Sequence, residues 1–116
     1  MMTDDAVLEA SAGPDVEGTV YRGKAAIARA RRAVFKEFDD ARWNNPIHFL
    51  AGDRAVSEWV FSGTRRDGST VEVQGCDILT LRDGKVEVNS ACWKQIRRPF
   101  LVTNAANRIR PMILRE

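Results

Sequence analysis

A single histidine, two cysteines and no apolar run of membrane-spanning length set the first limits on this 116-residue chain. With only His48, no histidine pair exists to hold a metal, and Cys76 and Cys92 are too few for a disulfide framework or a zinc site. No apolar stretch approaches the ~20 residues that cross a bilayer. Charge of neither sign dominates: 18 Lys and Arg against 16 Asp and Glu leave a formal +2. That balance calls for neither nucleic acid nor membrane as partner. The opening MMTDDAVLEA carries neither a basic leader nor a signal-type apolar core. The expectation is a cytoplasmic protein in a reducing compartment, with no cofactor and no metal.

What is present suits one small domain. A chain of this size, 44% apolar, buries roughly two thirds of its unfolded surface and supports a single core. Residues 6–10 (AVLEA) read as a short strand stopped by Gly13-Pro14, and residues 14–23 read as a loop punctuated by Gly18 and Gly23. In KAAIARARRAVFKEF, Ile27, Ala30, Val34 and Phe38 recur at helical spacing, with Lys24, Arg29, Arg32 and Lys36 opposite. This predicts an amphipathic helix of about four turns, ending at Asp39-Asp40. The second half changes period. Residues 47–51 (IHFLA), 54–64 (RAVSEWVFSGT), STVEVQGCDILTL and KVEVNSACWK read as strands, the later ones joined by turns at Asp67-Gly68 and Asp83-Gly84. Strands following a helix, without helices between them, argue an α+β fold rather than a parallel sheet. The domain is expected over residues 1–96. Residues 97–116 form a basic tail in which Thr103 is expected to cap a short helix to about Arg110.

Candidate chemistry is sparse. GTVYRGKA, Gly18 to Ala25, has phosphate-loop spacing, but Ala25 stands where a hydroxyl must hold magnesium, which argues against nucleotide binding. Asp77 is the residue to follow. In GCDILTL it shares a strand face with Val71, Val73, Gly75, Leu79 and Leu81, which should be the core face. A carboxylate there is either a satisfied buried acid or a poised acid, base or oxyanion donor. His48 alternates against Ile47 and Phe49, which suggests a side turned to solvent or an interface. Trp43, Trp59, Trp93 and Phe61 either line an aromatic pocket or simply fill the core. Glu58 and Glu72 fall on the face opposite the apolar residues. No cysteine has a neighbouring base, and Ser57, Ser62 and Ser90 lie in strands rather than strained elbows.

The stretches TDDAVLEASAG, YRGKAAI, AGDRAVSEWVFSGT and GCDILTLRDGKVEVNSACWK, in that order, resemble the nuclear transport factor 2-like superfamily, in its SnoaL-like and ketosteroid-isomerase-like branch. The resemblance runs from Thr3 to about Lys94. It implies a cone-shaped curved antiparallel sheet wrapped around a helix, an α+β barrel with an apolar cavity. Many members of this superfamily are dimers that pair through the outer sheet face. The superfamily includes isomerases, cyclases, dehydratases and epoxide hydrolases besides members that only bind partners, and a homodimer through the outer sheet face is expected of this chain. Asp77 then looks like the pocket carboxyl that ketosteroid isomerases keep protonated, and Trp93 like an aromatic lining the same cavity. The isomerase base falls on Ala10, and the epoxide hydrolase's polar residues fall on Trp59, Phe61 and Ala91. Family members place helices before the segment matching TDD. A late start of the given chain, the C-terminal tail or a second chain is expected to account for that side of the cone.

One register is contested. A two-residue turn at Asp83-Gly84 sets Asp77 on the face of Val86, Val88 and Ser90. The resemblance sets it with Asn89, Ala91 and Trp93. A β-bulge between turn and pocket satisfies both. The site expected from these readings is Asp77 with Asn89, lined by Leu8, Ala10, Ile27, Val34, Trp59, Phe61, Ala91 and Trp93. Three functions fit it: a binder of a small apolar ligand, an enzyme moving a proton on an apolar carbonyl compound, or a dimeric interaction module.

Overall fold

The computed structural model describes residues 1–96 in full, together with the backbone of residues 100–103 and 109–112. The elements run β1 (Met2–Glu9), β2 (Val20–Arg22), α1 (Lys24–Glu37), β3 (Arg42–Ala51), β4 (Arg54–Thr64), β5 (Thr70–Arg82), β6 (Lys85–Trp93), β7 (Phe100–Thr103) and β8 (Ile109–Met112). The first six strands form one sheet in the order β2-β1-β6-β5-β4-β3, and α1 packs against β1 and β2 at one end of it. The expected α+β class is what the molecule has. The sheet is antiparallel except where β1 runs parallel to β6, a pairing that a hairpin cannot make and that needs a long crossover. Here α1 and the β3–β5 meander supply it. No helix among the described residues is long and apolar enough to cross a membrane.

Elements match their sequence signals where period and turn chemistry agree. The helix ends one residue before Phe38, whose backbone is extended. Asp39 and Asp40 then fasten that end to the β4–β5 turn. Asp40 accepts from Thr64 N at 2.7 Å and Thr64 Oγ1 at 2.8 Å, and Asp39 receives a two-pronged bond from Arg66. At the other end Gly23 N donates to Ala6 O, and both Ala6 and Ile27 are buried at the contact of α1 with β1. The second buried centre lies under the helix C-terminus, where Phe61, wholly buried, packs against Phe38, Trp43 and Trp93 at centroid distances of 5.3, 5.2 and 4.4 Å.

Two strands are longer than their periodicity suggests. β1 begins at Met2 rather than at residue 6, through the polar Thr3–Asp5. β3 begins at Arg42 rather than at residue 47 and passes through Asn45-Pro46, where the register with β4 skips between Asn44 and Ile47. Asn45 sits at φ 53° there. The phosphate-loop look-alike is the strand β2 paired to β1, not a loop.

The β5–β6 hairpin contains the expected bulge. Arg82 faces Lys85 across Asp83 and Gly84, both at positive φ as a tight hairpin turn requires. The register then shifts between Leu81 and Thr80, so that Thr80 faces Val88 and Asp77 faces Ala91. The expected helix from Thr103 to Arg110 falls largely on residues 104–108, outside those described. Its flanks β7 and β8 are paired antiparallel strands rather than helical turns.

Candidate functional site

Between α1 and the concave sheet face lies an open cavity of about 670 Å³. Successive cross-strand pairs decide what faces it, because directly opposed residues share a face. Ala91, Asp77 and Ser57 are opposed in turn across β6, β5 and β4, and Ser57 is opposed to His48 on β3. All four line the cavity. One rung away, Gly75 lies between Trp59 and Trp93. It has no Cβ, and one built there would run into the Trp59 ring. The two indoles therefore meet over it, edge to face at 5.4 Å, and form an aromatic wall. Trp43, Tyr21 and Phe35 extend the wall on β3, β2 and α1.

Asp77 is half-buried, and Trp59 Nε1 donates to its Oδ2 at 3.1 Å. Burial pushes the Asp77 carboxyl above the usual carboxylate range, opposed in part by the Trp59 bond and by the charge of Arg31. The carboxyl thus holds a proton more tightly than a surface acid, while the indole fixes one of its oxygens. Asn89 stands on the same face of β6 as Ala91, and its buried Oδ1 has no hydrogen-bond partner among the described residues. At the far end of the row, His48 Nδ1 and Ser57 Oγ are hydrogen-bonded at 2.7 Å.

Of the residues expected at the site, Leu8, Ala10, Val34, Trp59, Asp77, Asn89, Ala91 and Trp93 come together around the cavity. Ile27 and Phe61 do not. Both are fully buried behind its wall, Ile27 where α1 meets β1 and Phe61 among the aromatic rings. His48 is a further correction, because it faces the cavity while Ile47 and Phe49, also exposed, alternate to the other side. The cause is the Asn45-Pro46 bulge, which shifts the alternation by one so that Trp43 and His48 share a face. A proline within a strand run was the signal available for it. Arg31, Ser57 and Tyr21 had no comparable signal.

Cys76 and Cys92 oppose each other as free cysteines on the outer face. Burial pushes the Cys76 thiol up, and Cys92 and Asp77 add to the shift, so Cys76 is a poor nucleophile. Among the described residues no three His, Cys, Asp or Glu side chains gather as metal ligands.

A curved sheet flanked by one helix thus carries an open, aromatic-walled cavity with the half-buried Asp77 in its floor. Residues 1–88 match the sequence pattern of the SnoaL-like domain family, and the chain belongs to that family. Among solved structures, a phenazine biosynthesis-related protein from Pseudomonas aeruginosa is similar at a TM-score of 0.68 and 21% identity, over 80% of this chain and 64% of that one. A candidate polyketide cyclase from Xanthomonas campestris pv. campestris is similar at 0.70 and 16% identity, over 80% of this chain and 73% of the other. TerC, co-crystallised with polyporic acid, is similar at 0.66 and 22% identity, over 80% and 73%. At these identities the likeness is one of fold. This chain spans less than two thirds of the length of the phenazine protein. No protein of curated function matches it significantly.

Proposed function

We propose that this domain binds a small apolar molecule in the cavity between α1 and the concave sheet face. One observation carries the reading: an aromatic-walled cavity of about 670 Å³ with the Trp59–Asp77 pair set into its floor. That is the size and make-up of a ligand site, mostly apolar with a few convergent polar groups. The similarity to TerC, which was crystallised with polyporic acid, points the same way. The binder acts in the cytoplasm, consistent with two free cysteines. It needs no cofactor, nucleic acid or membrane. Thermal shift against apolar ketones, lactones and phenols tests it. A ligand at 100 times its dissociation constant adds about 2.7 kcal/mol; no shift from any class refutes the reading.

A second reading has an observation of its own. The carboxyl of Asp77, pushed up by burial, suits an acid that protonates a carbonyl oxygen as an isomerase, cyclase or dehydratase would require. In that reading Asn89, one rung away, orients the same carbonyl. Turnover lost in Asp77→Asn with binding retained supports it, and turnover retained rejects it. The homodimer belongs to the outer face, where Ile47 and Phe49 are 55% and 56% exposed on the edge strand β3. Light scattering that gives a monomer at micromolar concentration removes it.

A further inference from the structure

The cavity has a second polar pole, which the Trp59–Asp77 pair does not explain. We infer that His48, held by Ser57, is an oxygen-recognising group of the same site, so that the ligand is a flat aromatic with a polar oxygen at each end. This rests on the binding reading above and names its ligand class.

The argument begins with the bulge. A regular β3 would turn His48 away from the side that Trp43 occupies. The skipped register at Asn45-Pro46, with Asn45 at φ 53°, turns it inward. Asparagine is one of the few non-glycine residues that enter the left-handed region readily, which lets the bulge form beside the cavity-lining Pro46. Ser57 then fixes the ring, because its Oγ lies 2.7 Å from Nδ1. With Nδ1 engaged, Nε2 is the nitrogen left to meet a ligand, donating or accepting according to the tautomer. Ser57 is a positioning residue in this arrangement.

The two poles lie two strands apart, His48 on β3 and Asp77 on β5, with Ser57 between them on β4. Adjacent strands are about 4.8 Å apart, so the poles are separated by about 10 Å along the sheet. A fused two-ring body with an oxygen at each end matches that span. The rings of Trp43, Trp59 and Trp93 supply apolar faces for a flat aromatic between the poles. Asn89 also lines the cavity, one rung along the sheet from the Asp77 pole.

His48 is the only histidine, so the ring-nitrogen NMR spectrum reports this pole without assignment. The probes are naphthalenediol with hydroxyls at opposite ends, and naphthol with one. The diol is expected to bind wild type about tenfold more tightly than naphthol and to move the Nε2 resonance at saturation. His48→Leu removes that preference, so that the diol binds no more tightly than naphthol. Ser57→Ala shifts the free-state Nδ1 resonance, which a merely structural serine would leave in place. Diol binding that leaves Nε2 unmoved, or a diol preference that survives His48→Leu, overturns the inference while the cavity remains a binding site. If neither probe binds wild type but other apolar compounds raise its melting temperature, the ligand class is wrong and the binding reading stands. If nothing binds, both fall.

Discussion

Replacing Trp59 by Phe removes one hydrogen bond at the centre of the site together with the volume of one ring. The indole N–H donates to Asp77 Oδ2 at 3.1 Å, and the ring meets Trp93 edge to face. Phenylalanine keeps the ring contact but leaves a gap where the second ring stood. The lost bond to a half-buried carboxyl is worth about 1–2 kcal/mol. The residual gap adds about 1–2 kcal/mol, below the cost of full truncation to alanine. Trp59→Phe is therefore expected to destabilise the domain by about 3 kcal/mol near neutral pH, out of a total of about 5–15 kcal/mol. A double-mutant cycle with Asp77→Ala separates the two parts, because only the bond is shared. Urea titrations of the four proteins should give a coupling of about 1–2 kcal/mol. In acid, where the carboxyl is neutral, the coupling should fall toward about 1 kcal/mol or less. A coupling within about 0.3 kcal/mol of zero near neutral pH would refute the bond and the chemistry built on it.

Asp77→Asn keeps an acceptor for Trp59 and removes the ionisable group. The Asp77 carboxyl titrates higher in the folded state than in the unfolded chain, so its ionisation costs stability above the folded value, and that cost vanishes below the unfolded one. The variant should melt higher than wild type near neutral pH and lose its advantage by about pH 3; a pH-independent difference would contradict the shift. Phe61→Ala empties the aromatic centre and should cost about 3–5 kcal/mol. Calorimetry should then read a fall of at least about 12 °C, and a fall of a few degrees would mean the rings close up. Gly75→Ala sets a Cβ against the Trp59 ring and Cys92 O. It should cost about 1–3 kcal/mol and alter the near-ultraviolet circular dichroism of the tryptophans, whereas an unchanged spectrum would show that the ring never covers the glycine.

The parts of the fold legible in the sequence are those where one signal acts alone. The α1 stripe of Ile27, Ala30 and Val34 and the alternation through Val71, Val73, Gly75 and Asp77 each follow one period to the end. The β5–β6 bulge was legible for a different reason: turn chemistry at Asp83-Gly84 and the family resemblance, which sets Asp77 with Ala91, favour different registers, and an extra residue reconciles them. The β3 bulge was not legible in the same way. Trp43, Ile47 and Phe49 keep a consistent alternation on paper, while Asn45-Pro46 breaks it in space, so His48 was assigned to the wrong side. Ile27 and Phe61 were assigned to the lining because periodicity identifies a core-facing residue without separating a cavity wall from the packing behind it. Both are too deep to touch a ligand. Partners from distant elements, such as Arg31 near Asp77 or Asp40 on Thr64, depend on how α1 lies over the sheet. No local pattern encodes that.

The most direct test of the ligand cavity is isothermal titration of wild type and Ala91→Phe with the compound that stabilises wild type most in the thermal screen. Ala91 lies beside Asp77 on the cavity floor, and a phenyl ring there occupies the space assigned to the ligand. The account predicts measurable heat for wild type and at least a hundredfold weaker binding, about 2.7 kcal/mol, for a folded Ala91→Phe. Equal affinity in the two proteins would contradict it and move the binding site out of the cavity.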